Sequence, residues 1–194
     1  MHGVRESLLI KQAELIELPL YVIRLPEKPG IKAYNETMGF HMKKFQEEGI
    51  THAVYGDIFL EDLKEYREER LAEVGMKGEF PLWGRDTTEI MNEFLDLGFR
   101  SIIVCSKEEI HGFTGQILDQ ALVSAFPAGI DICGENGEYH TFTFEGPIFK
   151  KSVSFKPGDK VYKEFERPVD PNDNCYSDNV KIAEKDGYWY LDLY

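Results

Sequence analysis

The sequence predicts an α/β fold, a parallel sheet with helices on both faces followed by a smaller β-rich α+β part. Three observations lead there. Up to about residue 106, helical stretches alternate with short apolar runs, and glycine, proline or aspartate punctuates each change. After about Lys107 the alternation gives way to strand-like pieces separated by turns. A boundary after residue 106 is therefore expected, with residues 1–106 and 107–194 as the two domains.

From Val4 to Leu18, apolar residues at Val4, Leu8, Leu9, Ala13 and Ile16 make the stripe of an amphipathic helix that ends at Pro19. Leu20 to Leu25 reads as a short buried strand. A second helix is expected from about Ile31 to Glu48, with Gly49 as its stop, then a strand from Thr51 to Gly56 and a polar turn at Asp57. Further helices are expected over 61–74 and 86–97, and Ser101 to Cys105 is expected to be another strand of the parallel sheet. Beyond it, Ile117 to Ala125 reads as helical, and 139–145, 151–155, 160–165 and 187–193 read as strands. Asp170 to Asp178 reads as a loop, and Asp186-Gly187 as a hairpin turn.

The 194 residues, 42% of them hydrophobic, suffice for one substantial core. No apolar run approaches the roughly 18 residues of a membrane span, and Met1-His2-Gly3-Val4-Arg5 lacks a signal-peptide core, so a cytoplasmic protein is expected. Cys105, Cys133 and Cys175 form no C-x-x-C pair, which excludes a zinc ribbon and predicts reduced thiols. A net charge of −13 argues against a general nucleic-acid surface. The acidic residues fall in helical stretches such as 61–73 and read as solvated faces.

The densest chemistry lies in Gly134-Glu135-Asn136-Gly137-Glu138-Tyr139-His140-Thr141, just ahead of an apolar strand. Glycines flanking Glu135-Asn136 imply positive φ or a close approach by another group; the bland alternative is an acidic hairpin turn. Gly56-Asp57 sits where a strand ends and a helix begins, the position at which open α/β sheets bind ligands. Asp57 there suits a magnesium ion or a ribose hydroxyl; the alternative is that Asp57 or Asp62 caps the helix. Arg67 and Arg70, three apart, converge on an anion or pair with Glu61, Glu65 or Glu69 of their own helix. In Pro81-Leu82-Trp83-Gly84-Arg85-Asp86-Thr87, Trp83 offers an aromatic wall, Arg85 an anion clamp, and Asp86 or Thr87 a helix cap. Cys133, His140 and Asp131 fit no common zinc spacing.

Taken in order, the blocks Met1-His2-Gly3-Val4-Arg5, Gly56 to Leu63, Tyr66-Arg67-Glu68-Glu69-Arg70, Pro81 to Thr87 and Gly134 to Thr141 resemble the diphthine–ammonia ligase family, over about Met1 to Lys151. The resemblance implies a PP-loop nucleotide domain of the HUP, Rossmann-like kind joined to a smaller substrate domain. It further implies ATP and Mg2+, adenylation of a carboxylate, and attack by ammonia to give an amide, AMP and pyrophosphate. The implied partner is diphthine on elongation factor 2. His2, Gly3, Gly56 and Asp57 would line the nucleotide site, with Asp57 on the metal. Arg67, Arg70, Trp83, Arg85, Gly134, Asn136, Gly137 and Thr141 would bind substrate, and Glu135, Glu138 and His140 would be catalytic.

The family's Ser-Gly-Gly-Lys-Asp-Ser loop does not occur in this sequence, in which Met1 is the methionine of the first block. The expectation is a truncated sheet, from a sequence begun at an internal methionine or from a truncated member, with the first favoured. Cys133 and His140 resemble the form in bacterial relatives, so a ligase of another small carboxylate, or a non-catalytic binding module, is the alternative function. No direct nucleic-acid or membrane partner is implied, and a homodimer is a further reading.

Overall fold

The computed structural model describes residues 3–26, 30–166 and 185–194. Its elements are α1 (Glu6–Ile16), α2 (Ile31–Glu47), β1 (His52–Val54), α3 (Glu61–Ala72), β2 (Lys77–Glu79), α4 (Thr87–Asp96), β3 (Arg100–Lys107), a 3₁₀ helix (Glu108–Phe113), α5 (Gln120–Ser124), β4 (Tyr139–Glu145), β5 (Pro157–Glu166) and β6 (Lys185–Leu193). The α/β class holds, with a two-stranded parallel sheet and a four-stranded antiparallel one. Two compact units form, one from Met1–Leu18 with Met91–Tyr194 and the other from Pro19–Ile90.

The unit of Pro19–Ile90 contains α2, β1, α3 and β2. β1 and β2 run parallel, with His52 opposite Lys77 and Val54 opposite Glu79. The crossover between them is α3, as a parallel pair requires. Leu71 of that helix and Met76 in the following turn are buried and anchor the pair. The expected strand over 20–25 is not formed. Leu20, Tyr21 and Val22 are exposed, and the Tyr21 ring instead packs edge-on to Phe45 of α2 at 4.7 Å. An apolar run becomes a strand only where a neighbour accepts its backbone hydrogen bonds.

The other unit is built on β3. Its apolar run is buried on both faces, Ile102 and Val104 in a cluster with Leu8, Phe142, Phe144 and Leu193, and Ile103 in one with Met91, Ile110, Leu122 and Tyr139. That burial is what made residues 101–105 look like a parallel strand. The sheet order is β4-β3-β6-β5 and every pairing is antiparallel, which corrects the expected orientation. β3 thus belongs to one unit with the elements that follow it.

Two smaller corrections concern the same sheet. Residues 151–155 form no strand, although the Val153 amide donates to the Phe144 carbonyl at 2.7 Å. Asp186 and Gly187 lie inside β6, opposite Phe165 and Glu164, rather than in a turn. A Cβ at Gly187 would strike the Tyr162 hydroxyl, which would have to shift to admit it. The expected loop over 170–178 lies outside the described residues.

Candidate functional site

The chain before β4 folds into two successive tight turns. The Gly134 amide donates to the Asp131 carbonyl at 2.9 Å and the Gly137 amide to the Gly134 carbonyl at 3.0 Å. Both glycines take positive φ, +74° and +76°, as their placement predicts. At Gly134 a Cβ would also meet the Tyr139 carbonyl oxygen at 3.0 Å, so conformation and close approach both demand glycine. At Gly137 nothing lies near, and φ alone does.

Two carboxylates hold these turns. Asp131 Oδ2 accepts from the Glu135 amide at 2.8 Å. Glu138, only 3% exposed, accepts through Oε1 from the Asp131 amide at 3.0 Å and from Asn136 Nδ2 at 3.2 Å. Glu138 Oε2 is buried and has no hydrogen-bond partner among the described residues. A carboxylate withdrawn from water normally has both oxygens satisfied, so the orphaned oxygen is the most unusual group in the turn.

Tyr139 seals the base. Its hydroxyl donates to the Ile132 carbonyl at 2.5 Å and its ring packs on Phe126. Burial pushes its ionisation well above the usual phenol range. His140 and Thr141, half-buried, stand on β4 opposite Cys105 and Ile103. Glu135 is half-buried and Asn136 exposed. Asp131, the buttress of the turn, was not among the expected site residues. An aspartate four residues before a Gly-flanked glutamate is the signal for this side-chain-to-backbone cap.

In the unit of Pro19–Ile90, two of the sequence blocks meet. The Gly84 amide donates to the Ile58 carbonyl at 2.8 Å, and Lys64 Nζ lies 4.8 Å from the centre of the Trp83 ring. Trp83 packs edge-on to Phe80, Phe80 stacks on Tyr55, and the Arg67 guanidinium covers the Tyr55 ring at 4.2 Å. Arg67 Nε then lies 3.2 Å from Asp57 Oδ2. Asp57 Oδ2 has no hydrogen-bond donor among the described residues, so the contact is an ion pair without hydrogen-bond alignment. Asp57 is not a helix cap, because the N-cap of α3 is Leu60. Arg67 crosses to Asp57 instead of pairing along its helix, whereas Arg70 pairs locally with Glu73 at 2.8 Å. Tyr55, the ring between Phe80 and Arg67, was also missed; an aromatic residue directly before Gly-Asp at a strand mouth was its only signal.

Gly56 does not take positive φ, and a Cβ there would meet nothing within 4 Å. Neither conformation nor internal packing requires this glycine, which leaves the strand mouth open to close approach by another group. A metal fits less well. Asp57 already faces Arg67, and among the described residues no group of three or more His, Cys, Asp or Glu could hold an ion. Mg2+ would need to bring its other oxygens from phosphate or water. The same absence leaves the Cys133, His140 and Asp131 grouping without support as a metal site. Arg85 is half-buried and engaged by neighbouring groups. Gly3 has φ +70° and a Cβ there would strike the Tyr190 ring at 2.9 Å, so its glycine has an internal cause. His2 lies outside the described residues. Glu135, Asn136, Glu138, His140 and Thr141 therefore gather in one unit, and Gly56, Asp57, Arg67, Arg70, Trp83 and Arg85 in the other.

Comparison with known proteins agrees with the resemblance drawn from the blocks. Residues 86–169 match the model of the diphthamide synthase C-terminal domain, a span that begins close to Met91, where the chain re-enters the unit built on β3. The chain is similar to the diphthine–ammonia ligase of Danio rerio, 29% identical over 161 residues, which are 73% of this chain and 62% of that protein. It is 26% identical to the Homo sapiens diphthine–ammonia ligase over 160 residues, 73% of this chain and 59% of that protein. The Bos taurus enzyme of the same name is 33% identical over 81 residues, 37% of this chain and 30% of that protein. The chain thus spans less than two thirds of these curated relatives.

Proposed function

We propose that this chain, a relative of the diphthine–ammonia ligases, serves in the ATP-dependent conversion of a carboxylate to a primary amide with ammonia. The observation that carries the reading is Glu138: a buried carboxylate clamped through Oε1, with Oε2 left without a hydrogen-bond donor among the described residues. A water-sized N–H donor satisfies such an oxygen, and ammonium is one. Glu138 takes its proton and holds the resulting ammonia in the turn. Asp131 and Asn136 keep that carboxylate in register, and Gly134 and Gly137 provide the backbone path that brings them together.

ATP supplies the activation: one acceptor carboxylate oxygen leaves with AMP, pyrophosphate is released, and the ammonia nitrogen takes that oxygen's place. At the other group of residues, Gly56 leaves room for the nucleotide backbone and the Asp57–Arg67 pair marks the strand mouth. Arg85 is the cation near which a substrate or phosphate anion would settle; Arg67 and Arg70 already pair with Asp57 and Glu73. For the acceptor we propose diphthine on elongation factor 2, or a smaller carboxylate in an organism that does not make diphthamide.

The test is pyrophosphate release and amide formation with ATP, ammonium and a modified elongation factor 2. Glu138→Gln keeps an acceptor for Asp131 and Asn136 but removes the base, so turnover should fall by about 10²-fold or more with little change in melting temperature. A large melting shift at unchanged turnover would make Glu138 structural only. Pyrophosphate release with a small carboxylate, and none with elongation factor 2, would move the acceptor. No release with either would leave a binding module.

A further inference from the structure

A cavity opens within the unit of Pro19–Ile90, between α2 and α3; no residue proposed for ammonia chemistry contributes to it, while Tyr55, Arg67 and Arg70 stand at its margin. Tyr34, Met38 and Met42 form its α2 wall, and Leu63, Tyr66 and Leu71 face them from α3. These α2 residues recur at the spacing of one helix face, so the wall follows from the helical repeat. The cavity measures about 170 Å³. A cavity of about 150 Å³ lined by apolar side chains accepts benzene, so the space suits a single ring.

The walls and the polar groups narrow the chemistry. Tyrosine rings and methionine thioethers both favour contact with a flat aromatic surface. The Tyr66 hydroxyl donates to Asn35 Oδ1, which fixes the amide and makes Nδ2 its donor side. A ring atom with a lone pair is the natural acceptor for that side. Free anions are disfavoured, because the two arginines at the margin are already neutralised, Arg67 by Asp57 and Arg70 by Glu73. We propose that the α2–α3 cavity binds one uncharged heteroaromatic ring, packed between Tyr34 and Tyr66 with a ring nitrogen accepting from Asn35 Nδ2. The inference rests on this cavity alone and stands whether or not the ligase reading does.

Pyridine and benzene differ by one acceptor atom at equal shape, which isolates the Asn35 contact. The full chain is titrated with each at neutral pH while the methyl resonances of Met38 and Met42 are followed by NMR. Both probes should give saturable shifts, with dissociation constants in about the millimolar range expected of so few atoms. In Asn35→Ala the preference for pyridine over benzene should fall about fivefold, the value of one hydrogen bond. Met42→Trp should abolish binding of both by filling the space, and circular dichroism checks that each variant remains folded. An unchanged preference in Asn35→Ala would overturn the proposal, and so would the absence of saturable shifts with the parent chain. Adenosine binding at the same methyls more tightly than pyridine would overturn the single-ring assignment.

Discussion

At Gly134 two independent constraints act on one residue. Its φ of +74° disfavours any L side chain, and a Cβ would press on the Tyr139 backbone at 3.0 Å. Gly134→Ala should therefore destabilise the protein by about 1–3 kcal/mol, measured by chemical denaturation. Gly137→Ala, with open space around it, should cost less, and equal losses would refute the role given to Tyr139. The need for positive φ was legible from the Gly-x-x-Gly spacing alone. That Tyr139 is the neighbour was not, because the contact depends on how the chain enters β4. Glu138 shows the same limit: its place in a polar block could be read from the sequence, but the orphaned Oε2 exists only once Asp131 and Asn136 have claimed the other oxygen.

Among the elements, helices were the most legible, since each carries its own stop signals. α4 begins where Asp86 Oδ1 accepts from the Glu89 amide at 3.0 Å, which decides between the two cap residues expected. α5 is capped likewise by Asp119, whose Oδ1 accepts from the Leu122 amide at 2.7 Å. Asp86→Ala and Asp119→Ala should each cost about 1 kcal/mol, read from denaturation midpoints. A loss at Asp119 of only a few tenths would show that α5, one short helix, is held by Leu122 and Val123 packing instead. Strands were less legible. The runs 20–25 and 101–105 look alike in sequence, yet only the second is paired, on both edges.

On the scale of the whole molecule, residues far apart in sequence set the response to pH. Arg5, just before α1, donates to Asp192 of β6 at 2.9 and 2.6 Å. That bond holds the Asp192 carboxyl below its usual range, so its contribution is present above about pH 4 and lost as pH falls through the lowered value. Burial raises Tyr139 in the opposite sense, so its contribution is full below about pH 10 and lost as pH rises further. Denaturation midpoints should thus fall at both extremes. Arg5→Gln should flatten the acid limb and Tyr139→Phe the alkaline one; unaltered limbs would refute these assignments. The sequence by itself determined the α/β class, the order and type of most elements, the Gly134 to Thr141 turn and the family resemblance. These follow from local spacing, φ preference and ordered motifs. Only the tertiary structure decided that β3 pairs antiparallel, that Arg67 reaches Asp57, that Glu138 Oε2 finds no donor among the described residues and that α2 and α3 line a ring-sized cavity. Each depends on groups distant along the chain competing for the same neighbours in space, and no pattern of spacing records the outcome of that competition.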